Sequence, residues 1–419
     1  MGVRAKSVLF LAPEAPGRRV TGPARRAQKL AEVVGEHCRV TLRSPADAPD
    51  PAEVARHDVV VTQIVPSPGR LLALRRAARH LVVDMIAPLA LEVAELPGAD
   101  PALVRWRSRE MVMHLALADL VLCTNDKQRD LLVGAGLAAG LVGGGEPGFR
   151  ERVAVVPHGL DAGPPLLPSG PGTLRAELGA DARIAIWAGG IWGWLDPLTA
   201  IRAAEMLRGA RPDLRLVFAA YEPPDAEQRE AHAAGAAEAT AYVRDRGLED
   251  VVRFRPRWLE RDEYVGHLLD ADAGVVLHGH ALEGRFASRT RVVDYLEAGL
   301  PVVCSAGDTM SELVTAHGLG AAVAPLDVAG CAAALDRLTA DGTARVDARA
   351  ALGPLLWPNA ARPLIDFCLD PRAGGGGASR AAAARAYPAF LRALWATGGP
   401  SGLARSALRR AGRARRSAP

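Results

Sequence analysis

The sequence predicts an α/β protein made of two successive halves, each a mostly parallel sheet covered by helices. Three observations carry this. Short β-branched or leucine-rich runs alternate with longer Ala- and Arg-rich helical stretches, the pattern of repeated βα units. Near the middle, Leu160–Thr173 places prolines at 164, 165, 168 and 171 among several glycines, the composition of a linker or hinge. The alternation then starts again. At 419 residues, 49% hydrophobic, the chain has apolar material for two cores.

In the first half, strands are expected at Ser7–Ala12, Arg39–Leu42, Val59–Gln63, His80–Asp84, Leu120–Thr124 and Val153–Pro157, with helices such as Gly22–Glu36 and Trp106–Ala118 between them. In the second, strands are expected at Ile184–Ala188, Leu214–Ala219, Val251–Phe254, Ala273–Leu277, Pro301–Ser305 and Ala321–Ala324. Helices are expected there at Pro197–Arg208, Asp225–Asp245, Arg261–Asp270, Arg291–Ala298 and Asp327–Leu338. The organisation so read is a domain over 1–165, a second over 166–370, a linker and helix over 371–396 returning to the first domain, and a tail over 397–419. Tyr387, Phe390 and Trp395 would pack that returning helix.

Composition excludes several classes. Net charge is +4 over 51 basic and 47 acidic residues, so no nucleic-acid partner is expected. Only Lys6, Lys29 and Lys127 are lysines and the other 48 basic residues are arginine, which with the Ala and Gly content points to a GC-rich genome. Five cysteines form no CxxC pair, the usage of reduced thiols in a cytoplasmic protein, and no metal site is expected. The start, MGVRAKSVLFLAP, has too short an apolar run for a signal peptide, and no apolar run suits a membrane helix. The arginine-rich tail has two open readings: a strip lying on an anionic membrane face, or a solvated chain end.

In an open parallel sheet, ligands bind beyond the carboxyl ends of the strands, where backbone N–H groups and helix N-termini are free. Two segments stand out there. Ala188 is followed by Gly189-Gly190-Ile191-Trp192-Gly193-Trp194, a turn that lets a phosphate or sugar approach the backbone, or is simply tight. The segment from Val275 to Val303 runs from strand to polar loop to a helix opened by Ser288 or Thr290 among Arg285, Arg289 and Arg291, and stops at Gly299 before a new strand. Ser and Thr there are ordinary caps, yet with the arginines at a positive helix end they suit a diphosphate. Asp294, one turn on, suits a ribose diol or plain dipole compensation.

Thr290-Arg291 through Gly299-Leu300-Pro301-Val302-Val303 resembles the T-K-L-x-E-x-x-A-x-G-x-P-V-V stretch of bacterial GT-B-fold glycosyltransferases of the retaining family 4 type. Ala118-Asp119-Leu120-Val121 resembles their A-D-x-V strand, and Val155-Val156-Pro157-His158-Gly159-Leu160-Asp161 resembles V-I-P-N-G-V-D; the likeness runs from about residue 5 to 370. It implies two Rossmann-like domains with parallel sheets facing a central cleft. It also implies transfer of a sugar from a UDP- or GDP-sugar, without a metal or further cofactor, to a cell-surface glycan, lipid-linked intermediate or small metabolite. Carried over by position, Glu283, Arg289 and Arg291 would be catalytic, and Gly189, Gly190, His278, Ser288, Thr290, Asp294 and Asp308 would bind the donor. Gly22, Asp84 and Gln63 would lie on the acceptor side.

The chain departs from the family pattern in two places. The acid expected eight residues before Asp294 is Phe286, with Glu283 the nearest acid, and Asp196 stands where a lysine is common. A sugar-nucleotide epimerase on the same architecture, or a nucleotide-sugar-binding protein without catalysis, are the rival readings.

Overall fold

The computed structural model describes residues 5–13, 21–44, 50–65, 68–96, 98–141, 149–163, 173–222, 226–279, 282–340 and 345–371. They form two compact units: one of residues 5–13, Val34–Val155 and from 363 onward, the other of residues 21–33 and Val156–Arg362. This differs from the expected partition. Residues 21–33 belong with the second sheet, and the chain returns to the first unit at Pro363, ahead of residue 371. The helix over 371–396 with its aromatic trio, and the tail, lie outside the described residues apart from residue 371.

The first unit holds β1 (Ser7–Leu11), β2 (Arg39–Arg43), β3 (Val59–Gln63), β4 (His80–Asp84), β5 (Leu120–Cys123) and β6 (Val153–Val155), all parallel in the order β2-β1-β3-β4-β5-β6. Leu9, Val60, Leu81, Val83 and Val121 pack on Leu71 and on Leu115 of the Pro101–Leu117 helix. That helix starts where Asp100 accepts a hydrogen bond from the Ala102 N–H at 2.8 Å and Pro101 supplies a preset first turn. The Arg362–Leu369 helix belongs to this unit from Pro363 on, with Phe367 edge-on to His80 at 6.3 Å between ring centres.

The second unit holds β7 (Arg183–Ala188), β8 (Leu214–Glu222), β9 (Val252–Arg257), β10 (Ala273–Val276), β11 (Val302–Ser305) and β12 (Gly320–Val323), parallel in the order β12-β11-β10-β7-β8-β9. Alternate residues enter opposite cores: Ala185 and Trp187 one, Ile184, Ile186 and Ala188 the other. Helices therefore cover both faces, as a parallel sheet of continuous apolar strands requires. All twelve strands stand where the alternation placed them; β8 and β9 each run three residues further at their carboxyl ends. The polar loop expected after β10 contains a short helix, Leu282–Phe286, which turns Glu283 inward.

Among the described residues no helix is long and apolar enough to cross a membrane, and no group of three His, Cys, Asp or Glu is placed to hold a metal ion.

Candidate functional site

The strand order reverses at β7, so the second sheet has its topological switch point between β7 and β10, where connections leave in opposite directions. The two strands pair only through Ala273–Ala185 and Gly274–Ile186. Beyond that the Tyr295 hydroxyl stands between them, accepting the Ala188 N–H at 2.9 Å and donating to the Val275 carbonyl at 3.0 Å. Its ring lies against Gly274, where a Cβ would fall 2.3 Å from the ring. Burial holds Tyr295 un-ionised, its pKa raised to about 12 against the opposing pull of Arg291 and the Ala188 N–H. A helix side chain thus replaces ladder bonds and props the sheet open beneath the site.

Above this opening lies a cavity of about 240 Å³. It is walled by the Gly189-Gly190 turn and Trp192 after β7, Ala220 at the end of β8, and Trp258, Leu259, Arg261 and Tyr264 after β9. Thr290, Arg291 and Asp294 of the Thr290–Glu297 helix close another side, and Thr21, Gly22, Pro23 and Arg25 the last. Gly22 is where it is because a Cβ there would press on the Thr290 hydroxyl at 3.3 Å. Ala220 sits at φ 55°, a strained value for a residue with a side chain.

Arg291 lines the cavity together with Arg25 and Arg261. Its guanidinium lies over the Trp187 ring at 5.7 Å and donates Nη2 to the Gly190 carbonyl. Nη1 is buried with no hydrogen-bond partner, and among the described residues no carboxylate pairs with it. Burial pulls its pKa below the ordinary arginine value. Beside it the first N–H groups of the Thr290–Glu297 helix have no intrahelical acceptors. The Gly189 N–H donates to the Ala219 carbonyl at 2.8 Å. The glycine turn therefore works by aiming Arg291, and not through the Gly189 N–H that a phosphate cradle would use.

Asp294 is densely partnered. It takes Nη1 of Arg25, Nη1 of Arg261 at 3.3 Å, and the Tyr264 hydroxyl at 3.1 Å.

A second cluster gathers the remaining donor-side candidates. Glu283, 1% exposed, pairs with Arg289 (Oε2 to Nη2, 3.0 Å), whose Nε lies 3.8 Å from Asp308. Asp308 accepts from the Ser311 N–H at 2.6 Å and caps the Thr309–Ala316 helix. His278 packs on Gly284, and burial with Arg289 nearby lowers its pKa to about 3, so it is a neutral imidazole. Its backbone N–H and carbonyl are both bonded by Ser305 Oγ, at 2.9 and 3.0 Å. Ser288 is half-buried just before the helix. None of these five lines the cavity. Arg289 thus faces two carboxylates, while Arg291, two residues on, faces the cavity.

Gly22 lines the cavity in the second unit. Asp84 and Gln63 sit side by side at the ends of β4 and β3 in the first, Nε2 3.5 Å from Oδ2. The sequence reading missed Arg25, Ala220, Trp258, Arg261 and Tyr264. Trp258 to Arg261 follow a strand, as the other candidates do, and a correct end for β9 would have pointed to them. No local signal links Arg25 to Asp294, 269 residues away.

No family model matches the chain, and no curated protein does. Solved structures do. HepE of Anabaena, solved with UDP and glucose, matches with a TM-score of 0.60 at 16% identity over 88% of this chain and 100% of its own. Sucrose-phosphate synthase of Thermosynechococcus elongatus matches at 0.59 and 17%, over 88% and 99%. An α,α-trehalose 6-phosphate synthase of Burkholderia multivorans matches at 0.58 and 13%, over 88% and 98%. These neighbours are GT-B glycosyltransferases, and the chain shares their fold of two Rossmann-like parallel sheets.

Proposed function

We propose that the chain is a glycosyltransferase that takes its sugar from a nucleoside-diphosphate donor held in the second-unit cavity. The observation that carries this is Arg291: a buried guanidinium with an unpaired N–H, beside a helix N-terminus, at the switch point of a parallel sheet. Such a group calls for an anion. Three strand ends border the cavity, those of β7, β8 and β9, spanning about 10 Å at ~4.8 Å per strand. The diphosphate would lie at Arg291 and Thr290, the ribose at Asp294, and the base toward Trp258 and Leu259.

Breaking the donor's glycosidic C–O bond leaves negative charge on the departing diphosphate, and Arg291 with the helix N-terminus would stabilise it without rearrangement. Cationic help of this kind would take the place of a metal ion. Glu283, paired with Arg289, is a poor nucleophile, which disfavours a covalent glycosyl-enzyme. The resemblance to the retaining family is what favours retention. UDP is the first nucleotide to test, because HepE was solved with it. The decisive assay incubates the protein with UDP- and GDP-sugars and an acceptor panel. Release of nucleoside diphosphate coupled to a glycosylated product is expected, and proton NMR of its anomeric signal reads the stereochemistry. Nucleotide binding without turnover of any donor would leave a binding protein in its place; epimerised donor without acceptor would mark an epimerase.

A further inference from the structure

We infer that Arg25 is a positioning residue of the nucleotide pocket: it holds Asp294 so that one acceptor position of the carboxylate faces the cavity, and Asp294 therefore takes a single ribose hydroxyl, not the diol. The inference rests on the donor reading above. Arg25 lies in the first turn of the Gly22–Gly35 helix and lines the cavity. Its fork bridges two carboxylates of one helix, Nη1 on Asp294 Oδ1 and Nη2 on Glu297 Oε2 at 2.5 Å, with Asp161 Oδ2 3.6 Å from Nη2. Asp294 and Glu297 are three residues apart on the same face, where like charges repel unless a cation joins them.

An ionised carboxylate offers about four lone-pair positions. On Asp294, Arg25 and Arg261 both address Oδ1, and the Tyr264 hydroxyl takes one side of Oδ2. One position on Oδ2 remains. Arg25 is not free to leave when a ligand arrives. Glu297 is 1% exposed, its Oε1 is bonded by the Asp161 N–H at 3.1 Å, and its other cation, Arg261, stands off at 3.7 Å. Withdrawing Arg25 would strand a buried charge, a costly change. Lys29 steadies the arrangement from behind, 3.0 Å from Asp161. The clamp therefore persists with nucleotide bound, and the geometry of Asp294 is set by a residue from the far end of the chain.

The test is calorimetric titration of the full-length protein with UDP and GDP and with the 2′-deoxy and 3′-deoxy forms of whichever binds. In the wild type, one deoxy form should bind about tenfold more weakly and the other nearly as well as the parent, since one hydroxyl reaches a charged acceptor. Arg25→Ala should weaken the parent nucleotide and level all three forms. Arg25→Lys, whose ammonium cannot span two carboxylates, should level them too while keeping the charge. Arg291→Ala, by contrast, should weaken all three forms alike and keep their ratio. Equal loss with both deoxy forms in the wild type, or full discrimination kept by a folded Arg25→Ala, overturns the inference. Failure of the wild type to bind either diphosphate overturns the donor reading itself.

Discussion

Glu283 and Arg289, six residues apart, form a buried ion pair with Oε2 3.0 Å from Nη2. The short Leu282–Phe286 helix carries the acid inward to meet an arginine that also approaches Asp308. Removing one partner leaves an unpaired buried charge. Arg289→Met should lower unfolding free energy by about 3–5 kcal/mol, and adding Glu283→Gln should recover a large part of it. Urea unfolding of the two single variants and the double variant measures the coupling; simple additivity would mean that the pair does not interact.

Arg291 is predicted to dominate diphosphate affinity. Saturating nucleotide stabilises a folded state by about 2.7 kcal/mol at a hundred times Kd. Arg291→Ala should weaken binding by roughly 10- to 100-fold, the worth of one or two hydrogen bonds to a charged group, and remove most of the melting shift seen with UDP or GDP. An undiminished shift in this variant would place the nucleotide elsewhere.

Tyr295→Phe should cost about 1–3 kcal/mol for each group left without its partner, because both the Ala188 N–H and the Val275 carbonyl depend on the hydroxyl. The strands it separates carry the Gly189-Gly190 turn and lead to the Thr290 helix, so nucleotide affinity should fall together with stability. Loss of stability with unchanged affinity would show that the opening survives without the hydroxyl.

Stability should decline in acid. Burial keeps His278 and His114 neutral in the folded protein, with pKa values lowered to about 3 and about 4 from 6.5. The unfolded chain takes up these protons first. Their contribution is complete above pH 6.5 and is lost as pH falls from there toward 4 and then 3, by up to ~1.4 kcal/mol per pH unit for each. His278→Gln should therefore show a shallower loss of unfolding free energy than wild type between pH 6.5 and 4.5. Parallel curves would place the protonation on other groups.

The sequence by itself determined the two sheets, because strand and helix periodicities are local and each parallel strand is a continuous apolar run such as Ile184-Ala185-Ile186-Trp187-Ala188. It also marked Gly189, Gly190, Thr290, Arg291 and Asp294 as neighbours of one site, since all follow strand ends and the ligand position in such sheets depends on topology. Tertiary structure alone decided which arginine faces the cavity. Arg289 and Arg291 are two residues apart at a helix start, yet one turns to Glu283 and Asp308 while the other turns to Gly190 and Trp187. It alone brought residues 21–25 to the same cavity and set Arg25 on Asp294 and Glu297. Long-range ion pairs of this kind leave no periodicity in the chain: each side chain reads locally as a solvated charge, and only burial gives it one partner.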